Sequence, residues 1–468
     1  MSSPSTAPAS LTRPVPSALI RLALPVLASQ TLRLAFQWVD ALWVRDLGVN
    51  ATAAITTSVF VMWCVYSLHD IFGIGISAYV SQLMGAGDRQ RAGVAAFKGL
   101  RASAGLGLVG VAMGAFAARP IFMAMDPSGR IVDEGTAYLR VVLIGSPFIM
   151  AALSCENVLR ACGDTRTPFV VDLLAITLNA ALAPVLIYGL GPFPHMGVAG
   201  AAWATVIAQA LMLATYVVLA WKRHPSFPLA RRAPGPPVNV LGMARVGLPA
   251  ASIGVLFSVV YIAFVRSASA HGPAAAAIVG IANRIEAIQF VFSASLGLAG
   301  ASLLGQALGA GQPERAALVL RTAQRWSVAF ALVLTALMLA WPRAFLTLFT
   351  TDPAVFEIGV PYLRVLALTL FATGLEIATA EAVMGSGHTG AISWVFTIIS
   401  LLRIPLAFLI PQWTNSGVMG IVWLITVSCW VRTAAILVWV GRGTWKRGLR
   451  HELHGGEIAP TESPGGAL

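Results

Sequence analysis

Charge is what this chain has least of. Lys, Arg, Asp and Glu make up 11% of its 468 residues, against 57% hydrophobic ones, and the mean hydropathy is +0.79. Soluble domains carry about a quarter of their residues as charge, so this composition excludes an ordinary water-facing surface. The four cysteines, Cys64, Cys155, Cys162 and Cys429, show no CxxC spacing, which argues for packing residues over a zinc ribbon or a disulfide framework. His195, His224, His271 and His388 are scattered, there is no large soluble loop, and no GxxxxGK[ST] run occurs. Together these argue against a metal centre, a membrane-embedded enzyme and ATP hydrolysis by this chain. The roughly ten-residue alternation of a membrane β-barrel is missing as well.

What is present is a series of long apolar runs. A spanning helix needs about 20 mostly apolar residues, and hydropathy with breaker positions gives candidates at 17–43, 52–84, 93–118, 137–161, 167–190, 196–221, 240–270, 276–306, 323–345, 361–385, 391–411 and 416–441. The fold class is therefore an all-α polytopic membrane protein with twelve transmembrane helices. Residues 1–16 hold no continuous apolar stretch of the signal-peptide kind and read as a flexible tail. Residues 222–239, rich in Pro from Pro225 to Pro237, read as a linker between a 17–221 lobe and a 240–441 lobe. Residues 442–468 read as a disordered tail.

The two lobes are copies. Gln82-Leu-Met-Gly85-Ala86-Gly87 returns 224 positions later as Gln306-Ala-Leu-Gly309-Ala310-Gly311, and the same offset pairs Leu24-Pro25 with Leu248-Pro249, Gly48 with Gly272, Gly73 with Gly297 and Tyr138-Leu139-Arg140 with Tyr362-Leu363-Arg364. Fixed-period similarity marks a duplicated architecture, and duplicated membrane proteins are typically transporters. Both Gln-x-x-Gly-Ala-Gly loops follow the second span of their half, so the repeats run parallel about an axis along the membrane normal.

The net charge of +12 could suggest nucleic acid, but its distribution gives topology instead. With the N-terminus in the cytoplasm, about 20 of the 31 Lys and Arg fall on cytoplasmic segments and about seven on the other side, the bias that orients membrane proteins. This predicts a multi-pass protein of a bacterial inner membrane, with both termini cytoplasmic and basic helix ends suited to anionic lipid. No nucleic-acid partner is expected.

Beyond the repeat, Asp40 before Gly48, Arg160-Ala-Cys-Gly163-Asp164-Thr165-Arg-Thr-Pro168, Asn179 and Gly197-Val-Ala-Gly200-Ala-Ala-Trp-Ala-Thr205 stand in order along the chain. Together with the duplicated loops, this pattern resembles the MATE (multidrug and toxic compound extrusion) family over roughly residues 17–441. It is most similar to the DinF-like branch, because the seventh span lacks the acid that other branches carry. The resemblance implies two six-helix lobes in a V around a central cavity. It also implies a monomer exporting organic, cationic or amphipathic compounds in exchange for H⁺ or Na⁺, with no cofactor. A lipid-linked saccharide or metabolite flippase of the wider superfamily is the alternative.

Carboxylates inside spans are costly and therefore functional candidates. Asp40, with Gln37 one turn earlier, leads, and the family's coupling carboxylate matches its position. Asn157, Asp172, Asn179 and Thr205 are the further ion-coupling candidates. Where the family pattern has Asp four residues after Asn179, this chain has Ala183. Fewer carboxylates make a poorer Na⁺ cage, which favours H⁺. Asp172 has the competing reading of a helix-end acid paired with Arg160 or Arg166. In the second half, Glu376 and Glu381 are secondary acids. Arg33 with Asp70, and Arg284 with an acid of the tenth span, are candidate salt bridges. Phe36, Gln37, Tyr66 and Tyr261 are candidates for substrate contact, and Pro25, Pro249 and Pro405 for bends. Because Asp40 aligns with Phe264 across the repeat and Asn157 with Glu381, coupling chemistry is expected in the N-terminal lobe.

Overall fold

The structure, a computed structural model, describes residues 9–45, 47–125, 129, 131–449 and 453; for residues 9, 10, 37–42, 44, 45, 49, 50, 52, 53, 56, 57, 59, 60, 124 and 125 it describes the backbone alone. A short turn of helix, α1 (Ala9–Thr12), leads into the first repeat: α2 (Val15–Arg45), α3 (Val49–Gly85), α4 (Arg89–Phe116), α5 (Ala118–Met125), α6 (Val132–Ile144), α7 (Ser146–Ala161), α8 (Arg166–Tyr188) and α9 (Gly197–Trp221). The second repeat comprises α10 (Val240–Ser269), α11 (Pro273–Gly309), α12 (Pro313–Ala340), α13 (Pro342–Thr347), α14 (Pro353–Met384), α15 (Gly390–Trp413) and α16 (Val418–Gly441). Among the described residues eleven helices are long and apolar enough to cross a membrane, and twelve spans result when α6 and α7, bent by 51° at their junction, are counted as one. No strand occurs among the described residues.

The bend between α6 and α7 breaks the internal symmetry, since α14 runs through the corresponding region as one helix. Pro147 has no N–H for the carbonyl four residues back and its ring crowds it. That carbonyl, Leu143 O, lies 2.6 Å from the Ser146 hydroxyl, and Gly107 O lies 2.7 Å away on the other side. Phe371 takes the place of Pro147 in the second half. Pro25, Pro249 and Pro405 lie inside continuous helices, and among the described residues the span broken into two helices is the one interrupted at Gly145–Pro147.

The Gln-x-x-Gly-Ala-Gly loops have a physical explanation. In the first, Gly87 takes φ +79° and its N–H donates to Met84 O, while Asp88 N–H donates to Leu83 O; in the second, Gly311 at φ +74° and Gln312 repeat the same bonds to Leu308 O and Ala307 O. This is a Schellman stop, which needs the left-handed conformation that glycine adopts without penalty. The earlier glycine of each motif does something else. A Cβ at Gly85 would lie 2.0 Å from Gln306 O, and one at Gly309 would lie 1.9 Å from Gln82 O. The two motifs therefore pack backbone to backbone across the lobe boundary. Gln82 Nε2 donates to Gly385 O at 3.0 Å and Gln306 Nε2 to Ala161 O at 2.8 Å, both side chains being buried. The repeated motif is a two-fold clasp joining the lobes at the end of the bundle that carries the linker.

From that clasp α3 and α10 stay together toward the membrane interior. Gly75 lies against Met243, Gly247 against the carbonyls of Asp70 and Ile71, and Gly254 against Ser67 Oγ, with Trp63 and Phe257 ring centroids 5.8 Å apart. On the related side, Leu19, Leu22 and Ala23 of α2 share a core with Leu296, Ala299 and Leu303 of α11.

Order extends further at both termini than expected. Val15 is buried at the start of α2, and beyond α16 a short 3₁₀ turn, Thr444–Arg447, seats Trp445 in the core. Leu449 and Leu453 join the first-lobe core, Leu449 N–H donates to Gln82 Oε1 at 2.7 Å, and Arg91 donates to Leu453 O at 2.7 Å. Apolar residues at 445, 449 and 453 supply burial that the polar composition of the rest of the tail conceals.

Candidate functional site

Inside the first lobe, three helices bring charges together. Arg33 of α2 donates to Glu156 of α7 at 2.8 Å and to both carboxylate oxygens of Asp172 of α8 at 2.7 and 2.8 Å. Glu156 also accepts from Arg160, one turn further along α7. Glu156 and Asp172 are 1% and 2% exposed. Two guanidinium groups and two carboxylates thus form a closed set in which each charge touches an opposite one, the condition under which buried ions are tolerated.

These contacts correct several expectations. Arg33 pairs with Glu156 and Asp172 and not with Asp70, because α2 packs on α8 and aims its guanidinium into the lobe. Asp172 is held by Arg33, not by Arg160 or Arg166. Glu156 was overlooked, although an acid in an apolar span with Arg160 at i+4 was a visible signal.

Asn157 points differently, with Nδ2 3.2 Å from His69 Nε2 of α3. Gly73 makes the room: a Cβ there would lie 2.6 Å from the imidazole nitrogen and 2.8 Å from the amide. Asn179 Nδ2 donates to Thr205 Oγ1 at 3.3 Å, linking α8 to α9, while Asn179 Oδ1 is buried with no partner. Ala183 is fully buried one turn later. The backbone carries Asp40 on α2, seven residues and about 10 Å beyond Arg33; its side chain and that of Gln37 lie outside the described residues. Four of the five ion-coupling candidates are thus placed within this one lobe, Asp172 in the charge network and the three neutral residues around it.

The second lobe has its own charges. Arg432 of α16 meets Glu376 of α14 at 2.5 Å and lies over the Phe396 ring at 4.3 Å. Arg403 of α15 donates to Ser428 Oγ at 2.7 Å and to Cys429 Sγ at 3.1 Å, with no carboxylate in ion-pair contact among the described residues. The acid of the tenth span therefore pairs with Arg432, whereas Arg284 lies over the Phe349 ring at 5.9 Å. Glu381 lies against Gly297 and close enough to Asp70 for their charges to interact across the lobe boundary.

Of the aromatic candidates, Tyr66 is 37% exposed on α3 and Phe36 is half-buried on α2. Tyr261 stacks on Phe257 at 6.3 Å and donates to Val279 O at 3.1 Å, so its hydroxyl is engaged within α10 and α11. No group of three or more His, Cys, Asp or Glu side chains suited to a metal occurs among the described residues.

The MatE family model matches residues 25–185 and 249–409, one copy in each repeat. A probable multidrug resistance protein NorM of Thermotoga maritima is 27% identical over 436 residues, covering 92% of this chain and 93% of that protein. An FAD transporter of Shewanella oneidensis is 27% identical over 406 residues, covering 85% and 89%. Among solved structures, a MOP superfamily transporter from Pyrococcus furiosus superposes with a TM-score of 0.86 at 24% identity, over 95% of this chain and 99% of that one, a likeness of fold.

Proposed function

The chain belongs to the MatE family of transporters, and from that premise we propose that it exports organic cationic or amphipathic compounds in exchange for protons. Relatives named as multidrug resistance proteins support the substrate class. The observation that carries the choice of ion is the commitment of the first-lobe carboxylates. Both oxygens of Asp172 and both of Glu156 are bound by guanidinium groups, and Ala183 offers no oxygen at the family's acidic position. Na⁺ would have to be stripped of water and given several oxygens from this set, whereas a proton needs one.

The network also gives α2 a mechanical part. Arg33 ties α2 to α7 and α8, and Asp40 lies further along the same helix. Taking a proton onto Asp172 removes one of the two negative charges that hold Arg33, and taking one onto Asp40 changes the charge α2 carries within the membrane. Either step alters the tie between α2 and its own lobe. The other end of α2 packs on α11 of the opposite lobe, so the change is felt at the lobe boundary. The basic bias supports a cytoplasmic linker end, and on that reading the clasped arrangement is closed toward the cytoplasm.

The test is substrate accumulation in proteoliposomes with an acidic lumen, compared with an imposed Na⁺ gradient at equal pH. Accumulation should follow the pH gradient and disappear in Asp40→Asn. Transport that follows Na⁺ and ignores pH would overturn the ion. Full gradient-driven transport by Asp40→Asn would overturn the role of α2.

A second reading, export of an anionic metabolite, is favoured by Arg403, whose buried charge meets no carboxylate in contact, and by the FAD transporter among the relatives. Competition of an anionic dinucleotide with the drug for uptake would support it.

A further inference from the structure

At the linker end, α2 and the turn before α8 line an open polar cleft made by Arg21, Leu22, Gly163–Arg166 and Ser226. Arg21 and Arg166 are exposed, and neither makes an ion pair among the described residues. One acid lies in the cleft, Asp164, but its oxygens are occupied by Thr167 N–H at 3.0 Å and Thr167 Oγ1 at 2.8 Å. The cleft is also the N-terminus of the 23-residue α8, whose N-cap residue Thr165 makes no side-chain cap bond. Thr165 is 3% exposed, and its hydroxyl is buried with no hydrogen-bond partner. Asp164 already caps α8 through the Thr167 N–H, so the anion site rests on two arginines that outnumber this one carboxylate and on the unused Thr165 hydroxyl.

Along the same two helices runs a shallow, open apolar groove lined by Leu24, Leu27, Ala28, Leu32, Phe169 and Leu173, together with Thr31 and Ala35. From residue 24 to residue 35 it extends about 16 Å along α2 at 1.5 Å per residue, close to half of a hydrocarbon core of about 30 Å. A charged cleft at the helix ends, with an apolar trough one leaflet deep further along the same two helices, matches a phospholipid better than any water-soluble anion.

We propose that this cleft and groove bind one phospholipid with an anionic headgroup from the leaflet on the linker side. The phosphate and any further headgroup oxygens sit between Arg21, Arg166 and Thr165, and an acyl chain lies in the groove. Its inner end reaches Leu32 and Leu173, which neighbour Arg33 and Asp172 in sequence. The bound lipid therefore lies beside the contact that ties α2 to α8. The site depends on neither the coupling ion nor the exported substrate, so its test is separate from theirs.

Native mass spectrometry of the full-length protein in a neutral detergent, titrated with phosphatidylglycerol or phosphatidylcholine, reads the site directly. Wild type should retain phosphatidylglycerol preferentially, and the Arg21→Ala/Arg166→Ala double variant should lose that preference by about tenfold or more, as expected for two basic groups at a headgroup. Thr165→Val should lose less, and Ala28→Trp, which fills the groove, should lose retention with the cleft intact. Lys222→Ala/Arg223→Ala, in the linker outside the cleft, should behave as wild type. Unchanged retention in the Arg21/Arg166 variant would overturn the proposal, as would an equal loss in the Lys222/Arg223 variant. Displacement of the lipid by inorganic phosphate, with Ala28→Trp without effect, would show a free-anion site and overturn it as well.

Discussion

The two halves of this protein share a backbone and disagree about charge. Position for position, Arg33 corresponds to Phe257, Glu156 to Ala380, Asp172 to Phe396 and Asn179 to Arg403, while Glu376 and Arg432 correspond to Ala152 and Ala208. Each lobe buries an arginine–carboxylate set, built at non-equivalent positions after the duplication. The first lobe's set includes its leading helix α2. The second lobe's set joins α14, α15 and α16 and leaves out its leading helix α10, where Phe257 stands in place of Arg33 and packs against Trp63 of the other lobe. Thus α2 is tied by charge to its own lobe, and α10 by apolar contact to the opposite one. Charge can be switched by a proton and apolar contact cannot, so the proposed coupling is assigned to the first half.

The largest effect should come from breaking the second lobe's pair. Arg432→Ala leaves Glu376 buried without its cation, a loss of about 3–5 kcal/mol, read as a marked drop in thermal unfolding temperature in detergent. Replacing both partners by methionine should recover most of that stability and keep proton-driven export, because the pair has a structural part. Loss of export in the stable double variant would instead move substrate recognition into the second lobe.

Arg33→Ala should cost somewhat less, about 3 kcal/mol, since its guanidinium is 33% exposed and water can reach the acids left behind. Here the pairwise replacement separates the lobes: Arg33→Met with Asp172→Met should regain stability and still fail to couple transport to the pH gradient. Coupled transport by that variant would erase the distinction between the halves. Smaller again are Gly85→Ala and Gly309→Ala, whose new methyl groups would press on Gln306 O and Gln82 O. Overpacking of this kind costs about 1–3 kcal/mol. Because the clasp is two-fold, both variants should reduce cross-linking between cysteines placed on opposite lobes at the linker end, and to the same degree.

The sequence carried the scaffold well, because hydropathy and the repeat are both properties of single positions. The spans and the repeated Gln-x-x-Gly-Ala-Gly motifs follow from residue type and spacing. The partners of the charged residues were harder to read, since pairing depends on which helix faces depend on each other after packing. Arg33 and Asp70 are both charges inside spans and so candidates to pair, yet α2 lies on α8, and Asp172 and Glu156 claim the guanidinium. Glu156 could have been found by treating every intramembrane acid alike. The bend at Pro147 was legible in the residue type, but proline also occurs inside α2, α8, α10, α14 and α15, and only the surrounding contacts decide which proline interrupts a helix. Order after Arg442 was hidden because three apolar side chains do not change the composition of a polar tail.

The smallest predicted effect tests the neutral edge of the first-lobe site. Thr205→Val removes the hydroxyl that accepts from Asn179 Nδ2, a bond of 3.3 Å between α8 and α9, and keeps the side-chain volume. The hydroxyl also donates to Ala201 O within its own helix, and leaving the part-buried Asn179 donor unpaired costs about 1 kcal/mol or somewhat more, so the stability loss should be small. If Asn179 serves coupling as an oriented amide, its freed Nδ2 should lower proton-driven transport beyond what the stability loss explains, while the equivalent substitution Thr215→Val, a hydroxyl bonded within its own helix to Leu211 O, should leave transport unchanged. Equal and negligible effects at both threonines would confine the coupling role of the first lobe to its carboxylates and to Arg33, and the comparison of the lobes would then rest on charge alone.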